Sequence, residues 1–151
     1  MLDLLVDTGP LVAWFDRRDA DHARVAAFFD AFEGRLLSTW PVLTEVCHLL
    51  PESLVPRFME WVARGGLSVV ELPASAAGVL AARMQKYADL PMDLADASLL
   101  WLAEAEGLDE IATLDERDFG VYRTTRGTHL RNVLAPKPPR ARRSKAVSSP
   151  R

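Results

Sequence analysis

The sequence contains a single cysteine, Cys47, and only three histidines. One cysteine excludes an internal disulfide framework and a zinc site built from clustered cysteines. The histidines stand at positions 22, 48 and 129, which is not the close spacing of a metal-binding motif. Neither residue type therefore predicts a disulfide or a zinc site in this chain.

Long apolar runs are also missing. No 18 consecutive residues are apolar, so we expect no membrane-spanning segment. The amino-terminal segment is apolar but has two acidic residues, Asp3 and Asp7, and no basic residue before Arg17, which is not typical of a secretory signal. We therefore expect a cytoplasmic protein. Its 151 residues, 49% hydrophobic and 26% charged, suit one globular domain with a substantial core.

Basic residues are scarce outside the carboxyl-terminal end. Residues 136–151 hold six of the 18 Lys and Arg residues and no acidic residue, which leaves residues 1–135 with 12 basic against 21 acidic side chains. We predict a domain over 1–135 and a disordered tail over 136–151, because a segment with so little apolar content cannot offset the entropy of ordering. The tail either aids solubility or attracts phosphate groups without sequence specificity.

Strand-like apolar runs alternate with stretches of helical periodicity. Strands are predicted at residues 2–6, 35–39, 67–72 and 110–114. Helices are predicted at residues 8–15, 20–33, 41–50, 53–64, 74–88 and 93–107. Thr39 is a candidate N-cap for the third helix. The alternation predicts an α/β fold in which a parallel sheet is covered by helices on both faces.

Acidic residues follow two of the predicted strands. Asp7 follows the first strand, and Asp115 follows the fourth. Because ligands of open α/β sheets bind outside the carboxyl ends of the strands, we expect both carboxylates to face one crevice. The alternative role of Asp7 is to cap the helix that follows it. Beyond Asp115, Glu116 is interpreted as a solvated turn residue, and Asp118 is a second candidate for the site.

A third acidic residue lies within an otherwise apolar helical stretch. Glu45 is flanked by Val42, Val46 and Leu49, which are its neighbours on or beside one helix face. An unpaired carboxylate in that setting is costly, so Glu45 needs a partner. That partner belongs either to a functional site or to an arginine in a buried ion pair.

Asp93 and Asp96 stand three residues apart at the start of the last predicted helix. Asp93 is interpreted as the N-cap, because Asp-x-x-Asp before an apolar run resembles a capping box with Asp96 at its third position. Asp96 is also placed in the site, because the helix is too apolar to expose its first turns fully. A dipole-favoured position in the first turn is the alternative role for Asp96.

Four carboxylates in one crevice require a compensating charge. Like charges within a few ångströms raise one another's pKa, and no lysine or histidine recurs beside these residues. A hard divalent cation such as Mg²⁺ or Mn²⁺ takes oxygen ligands and suits the chemistry of phosphodiesters. The sequence therefore predicts a metal-dependent phosphodiesterase site built from Asp7, Glu45, Asp96 and Asp115.

Several segments of the chain carry a resemblance to a known family. The stretches "VDTGPLVAWFD", "TEV", "DLADASLLWLAEAEGLDEIATLDERDF" and "VYR" are similar to those of PIN domains, in particular VapC-type ribonuclease toxins of bacterial toxin–antitoxin pairs. The similarity spans about residues 3–133. It implies a three-layer α/β/α sandwich with a central parallel sheet.

The resemblance also implies a function. Members of the family cleave RNA, are commonly homodimers, and are blocked by an antitoxin whose carboxyl-terminal segment enters the groove of the site. By position, it makes Asp7, Glu45, Asp96 and Asp115 the acidic quartet that coordinates one or two Mg²⁺ or Mn²⁺ ions. Thr8 and Thr113 resemble hydroxyl positions that flank the site in the family. The chain departs from the family pattern at Asp93, an extra acid next to "ADA", and at Asp118, a second candidate for the fourth ligand, and both are candidate supporting residues.

Two functions of other classes remain open at this point. One is an aspartyl phosphatase or phosphotransferase with Asp7 as the nucleophile, although the sequence "DTGPL" lacks a second aspartate two residues on. The other is a module that binds RNA or protein through the same groove without catalysis.

Overall fold

The computed structural model describes residues 2–136, except for the side chains of residues 116–118. The predictions for the Glu116 and Asp118 side chains and for the tail from residue 137 onward therefore lie outside the described residues. Across the part of the chain that is described, no helix is long and apolar enough to span a membrane.

A five-stranded parallel sheet forms the centre of the molecule, with strand order β3-β2-β1-β4-β5. The strands are β1 Asp3–Val6, β2 Arg35–Thr39, β3 Ser68–Val70, β4 Glu110–Ala112 and β5 Arg131–Asn132. Leu5 of the central strand is paired with Leu37 on one side and Ile111 on the other. These three side chains are almost fully buried, as expected for a parallel sheet covered on both faces.

Helices connect the strands and cover the sheet. They are α1 Thr8–Phe15, α2 His22–Ala31, α3 Trp40–Leu49, α4 Val55–Ala63, α5 Ala77–Lys86, α6 Leu94–Glu106 and α7 Glu116–Val121. Short 3₁₀ turns, Glu52–Leu54 and Ala74–Ala76, precede α4 and α5. The predicted three-layer α/β/α fold is confirmed.

The described ends of α6 follow the capping rules closely. Asp93 is its N-cap, and Gly107 follows its last turn with a φ of 65°, a left-handed conformation that suits glycine. Leu99, Leu100 and Leu102 of this helix are fully buried. Burial of this apolar helix holds its first turn, with Asp93 and Asp96, at the carboxyl edge of the sheet.

The structure differs from the sequence predictions mainly beyond residue 112. Strand β4 ends at Ala112 and not at residue 114, and neither α7 nor β5 was predicted. These elements have only six and two residues, so they carry little periodic signal. Thr39 does occupy the N-cap position of α3 but makes no capping hydrogen bond, because its hydroxyl lies 2.6 Å from the hydroxyl of Ser98.

Candidate active site

The strand order places a crevice between the ends of β1 and β4. From the central strand β1 the chain builds outward to β2 and β3 on one side, and later to β4 and β5 on the other. Ligands of open α/β sheets bind at such a reversal point, outside the carboxyl ends of the strands. Asp7 directly follows β1, and its N–H donates to the carbonyl of Ala112 in β4 at 3.0 Å.

Asp7 is buried at the bottom of this crevice, with only 7% of its surface exposed. One carboxylate oxygen accepts from the backbone N–H of Thr8 at 2.8 Å, and the other accepts from the hydroxyl of Thr113 at 2.8 Å. Asp7 therefore does cap α1, as the alternative interpretation held, while its second oxygen reaches across to the end of β4. The two roles are compatible.

Burial raises the pKa of Asp7 from 3.8 to about 6. The hydrogen bonds from Thr8 and Thr113 act in the opposite direction, because they stabilise the ionised form. The neighbouring charges of Asp115 and Asp93 raise the pKa further. Asp93 and Asp115 are thus both within electrostatic reach of Asp7.

Glu45 projects from α3 towards the start of α1. The Thr8 hydroxyl donates to a Glu45 carboxylate oxygen at 2.7 Å. No ion pair joins Glu45 to an arginine among the described residues, and the partner that the structure gives it is Thr8. Desolvation, followed by a hydrogen bond with the Asp93 carboxyl and the charges of Asp93 and Asp7, raises the pKa of Glu45 to about 7.

Asp93 and Asp96 form the predicted capping box at the start of α6. The Asp93 side chain accepts from the N–H of Asp96 at 2.8 Å, and the Asp96 side chain accepts from the N–H of Asp93 at 3.3 Å. Burial raises the pKa of Asp96 to about 8, and the charges of Asp93 and Asp7 contribute. Asp93 therefore belongs to the carboxylate group electrostatically as well as capping the helix.

Asp115 is less enclosed than predicted. It is exposed in the loop after β4, three residues beyond the strand, so the expectation that it ends a buried strand was wrong. Its N–H donates to the Thr113 hydroxyl at 3.0 Å, which ties the loop to the same threonine that contacts Asp7. Asp115 nevertheless lies near the crevice, since its charge raises the pKa of Asp7.

The donor set suits a hard divalent cation. Asp7, Glu45, Asp93, Asp96 and Asp115 supply oxygen donors only, and in three of them burial and neighbouring carboxyl groups act together against ionisation. A divalent cation would favour the ionised forms. Within the described residues, no three such side chains stand close enough together to enclose a metal ion, and Mg²⁺ usually takes only one or two carboxylates together with several waters.

Sequence reasoning missed one residue beside the crevice. Asn132, the only asparagine in the chain, lies at the end of β5 and contacts both backbone polar groups of Thr113. Its signal was weak, since β5 has only two residues and no alternating pattern.

The fold and the carboxylate crevice define a class of protein. The chain matches the PIN domain family over residues 4–124, and it belongs to that family.

Two proteins that are similar to this chain are VapC proteins, a group within the PIN domain family. Ribonuclease VapC26 of Mycobacterium tuberculosis (strain ATCC 25618 / H37Rv) is 27% identical over 128 residues, which cover 82% of this chain and 95% of VapC26. The crystal structure of Mycobacterium tuberculosis VapC20, described as a toxin that cleaves the sarcin-ricin loop, has a TM-score of 0.71 at 16% identity and covers 78% of this chain and 92% of VapC20. The predicted resemblance to VapC-type PIN domains is confirmed.

Proposed function

We propose that this protein is a divalent-metal-dependent endoribonuclease and the toxin of a type II toxin–antitoxin pair. The observation that carries the proposal is the group of carboxylates around buried Asp7, at the reversal point of a PIN-domain sheet. Similarity to a named VapC ribonuclease over 95% of its length supports hydrolysis of RNA as the reaction.

Asp7, Glu45, Asp96 and Asp115 are the proposed ligands for Mg²⁺ or Mn²⁺. Such a cation, when bound, lowers the pKa of water and stabilises negative charge on a phosphodiester. An ionised carboxylate offers about four acceptor sites, and the hydrogen bonds from Thr8 and Thr113 occupy two of those of Asp7. Two acceptor sites of Asp7 therefore remain for a ligand.

The hydroxyl side chains hold the carboxylates in place. Thr8 joins Asp7 to Glu45, since its N–H donates to the first and its hydroxyl to the second. Thr113 joins Asp7 to the loop of Asp115. These contacts restrict the rotamers of the proposed ligands before RNA arrives, which lowers the entropy cost of assembling the site.

The proposed protein partner is a cognate antitoxin. An apolar groove of about 400 Å³ adjoins Glu45 and is also lined by Trp40, Pro41, Thr44, Leu94 and Ala95. Trp40 and Leu94 are 47% and 49% exposed, which is high for large apolar side chains. An apolar segment of the antitoxin would cover them and block access to the carboxylates. A homodimer is proposed as well, and light scattering of the purified protein tests it.

Substitution of Asp7 tests the proposed reaction. We expect Asp7→Asn to abolish cleavage of RNA, because the amide cannot replace the carboxylate charge at the same position. Asp30→Asn is the matched control, since Asp30 is an exposed aspartate on α2. The measurement is cleavage of total RNA with Mn²⁺, with and without EDTA, together with circular dichroism of each variant. Full activity in Asp7→Asn, or activity unaffected by EDTA, would contradict the proposal.

The two other functions predict different results from the same proteins. An aspartyl phosphotransferase would yield an acyl-phosphate on Asp7 that can be trapped. A non-catalytic module would bind RNA equally in the wild type and in Asp7→Asn without cleaving it. Titration with Mn²⁺ followed by calorimetry separates the module from the nuclease, because only the nuclease needs the cation.

A further inference from the structure

Asn132 holds the backbone of Thr113 from both sides. The Asn132 carboxamide oxygen accepts from the N–H of Thr113 at 3.2 Å, and its NH₂ group donates to the carbonyl of Thr113 at 2.9 Å. The same oxygen accepts from the N–H of Leu134 at 3.1 Å. The orientation of the amide is fixed by chemistry, because the reverse orientation would set NH₂ hydrogens against two N–H groups.

These contacts replace strand pairing where the sheet ends. Ile111 of β4 is paired with Asn132 of β5, and the N–H of Val133 donates to the carbonyl of Ile111 at 2.9 Å. The backbone of β5 contributes no further bond to Thr113, which is only 1% exposed and whose polar groups need partners. The Asn132 side chain supplies them.

The two bonds between the Asn132 side chain and the Thr113 backbone are called the clamp below. The clamp determines the direction of the Thr113 hydroxyl. The hydroxyl has one proton, and the N–H of Asp115 occupies one of its acceptor positions at 3.0 Å. The proton is directed to the Asp7 carboxylate at 2.8 Å. A shift of the Thr113 backbone would therefore disturb the orientation of buried Asp7 and the position of the Asp115 loop together.

We propose that Asn132 is a positioning residue of the nuclease site, acting through Thr113 on Asp7. The inference rests on the proposed function. It extends beyond the family match, which ends at residue 124, eight residues before Asn132. Asn132 touches neither substrate nor metal in this role.

A double-mutant cycle of Asn132 and Thr113 tests whether Asn132 acts on Asp7 through Thr113. We expect Asn132→Ala to lower kcat about tenfold with little change in the KM for RNA, as is usual for outer partners of a site. In a Thr113→Val background there is no hydroxyl to orient, so the further loss should be less than about twofold. An equal loss in both backgrounds would overturn the proposal, because it would show a general effect on the fold.

Amide hydrogen exchange gives a readout that is independent of activity. Loss of the clamp should accelerate exchange of the Thr113 amide by about tenfold or more in Asn132→Ala, measured without metal. Asn132→Asp keeps the shape and the two accepted bonds but sets a carboxylate oxygen against the Thr113 carbonyl in place of the donated bond, so the Thr113 amide should exchange faster than in the wild type and kcat should fall. If Asn132→Ala folds poorly, Asn132→Asp still allows the inference to be tested.

Val133→Ala is the matched control, since it trims a partly buried side chain next to Asn132 without touching the clamp. Its kcat and its Thr113 exchange rate should equal those of the wild type within about twofold. Wild-type kcat in Asn132→Ala, with Asp7→Asn inactive, would overturn this inference and leave the proposed function standing. Full activity in Asp7→Asn would overturn the proposed function itself.

Discussion

The two halves of the crevice are built in different ways. The β1 side, comprising Asp7, Thr8 and Glu45, lies at the end of a four-residue strand and on helices of eight and ten residues, all of them largely apolar. The β4 side, comprising Thr113, Asp115 and Asn132, follows strands of three and two residues. On the β1 side packing of apolar elements and the hydrogen bonds of Thr8 together position the carboxylates, whereas the β4 side relies on hydrogen bonds between side chains and backbone.

The difference shows that the residues of one site can be held in two ways, by packing of buried elements and by single hydrogen bonds. A buried helix keeps its position when a single side chain is changed, because many other packing contacts remain. A short strand held by one asparagine depends on single bonds. We therefore expect substitutions on the β1 side to change the electrostatics of the site, and those on the β4 side to change its geometry.

The largest expected effect is on stability as a function of pH. The pKa values of Asp7, Glu45 and Asp96 are raised to about 6, 7 and 8, so the folded protein holds protons that the unfolded chain has released. Stability is therefore highest below pH 4 as far as these groups are concerned, and it falls as the pH rises to about 8. For Asp7 alone, a rise from 3.8 to about 6 corresponds to roughly 3 kcal/mol lost on ionisation.

Thermal unfolding in EDTA from pH 5 to pH 8 measures this effect. The melting temperature should fall over that range, and Mn²⁺ should restore it at pH 8 by binding the ionised carboxylates. Asp7→Asn should flatten the profile, while Asp30→Asn should leave its slope unchanged. A melting temperature that rises from pH 5 to pH 8 without metal would show that Asp7, Glu45 and Asp96 are stabilised as anions.

The sequence predicted the β1 side better than the β4 side for a physical reason. The limits of β2 were predicted correctly from "RLLST", and β1 was predicted within one residue, because buried parallel strands read as continuous apolar runs. Asp7 and Glu45 were found because carboxylates are conspicuous in such surroundings. Their hydrogen-bonding partner, Thr8, became visible only in the structure, although the family resemblance had marked its position.

The β4 side was harder to predict because its elements are short. Helix α7 and strand β5 were missed, and Asp115 was placed at the end of a strand that stops three residues earlier. No periodic pattern encodes a contact between residues 19 positions apart, such as that of Asn132 with Thr113. The boundary at residue 135 and the role of the basic tail stay predictions.

A second prediction compares the hydroxyls on the two sides. Thr113→Val removes a bond to buried Asp7 and one from the Asp115 loop, so we expect kcat to fall about a hundredfold. Thr8→Val removes one bond to half-buried Glu45, which water can replace in part, so we expect a fall of about tenfold. Both hydroxyls lower the pKa of the acid they contact, so each variant should also shift the acidic limb of the pH–rate profile to higher pH.

The pH–rate profiles should be measured with saturating RNA and a fixed, subsaturating concentration of Mn²⁺, so that protons compete with the cation for the carboxylates. Thr128→Val is the matched control, since its exposed hydroxyl contacts only Thr124 among the described hydrogen bonds. Equal losses in Thr8→Val and Thr113→Val would remove the distinction between the two sides, because burial of Asp7 would then make no difference to the strength of its hydroxyl contact.

The smallest expected effect concerns a buried hydroxyl pair that joins β2 to α6. Thr39 and Ser98 are fully buried, and their hydroxyl oxygens are 2.6 Å apart. Ser98 donates its only proton to the carbonyl of Ala95 at 2.7 Å, so Thr39 must be the donor between the two. Ser98→Ala leaves this buried donor without a partner, which should cost about 1–3 kcal/mol of unfolding free energy in urea.

The double variant separates this contact from general packing. Thr39→Val combined with Ser98→Ala removes donor and acceptor together, so its loss of stability should be smaller than the sum of the two single losses. The pair lies beneath α6, the helix that carries Asp96, and touches no carboxylate. Because packing of α6 against the core holds its first turn, we expect the kcat of the double variant to stay within about threefold of the wild-type value. A loss of kcat as large as that in Asn132→Ala would mean that the bond between Thr39 and Ser98 also positions the carboxylates, and that packing of α6 alone does not hold its first turn.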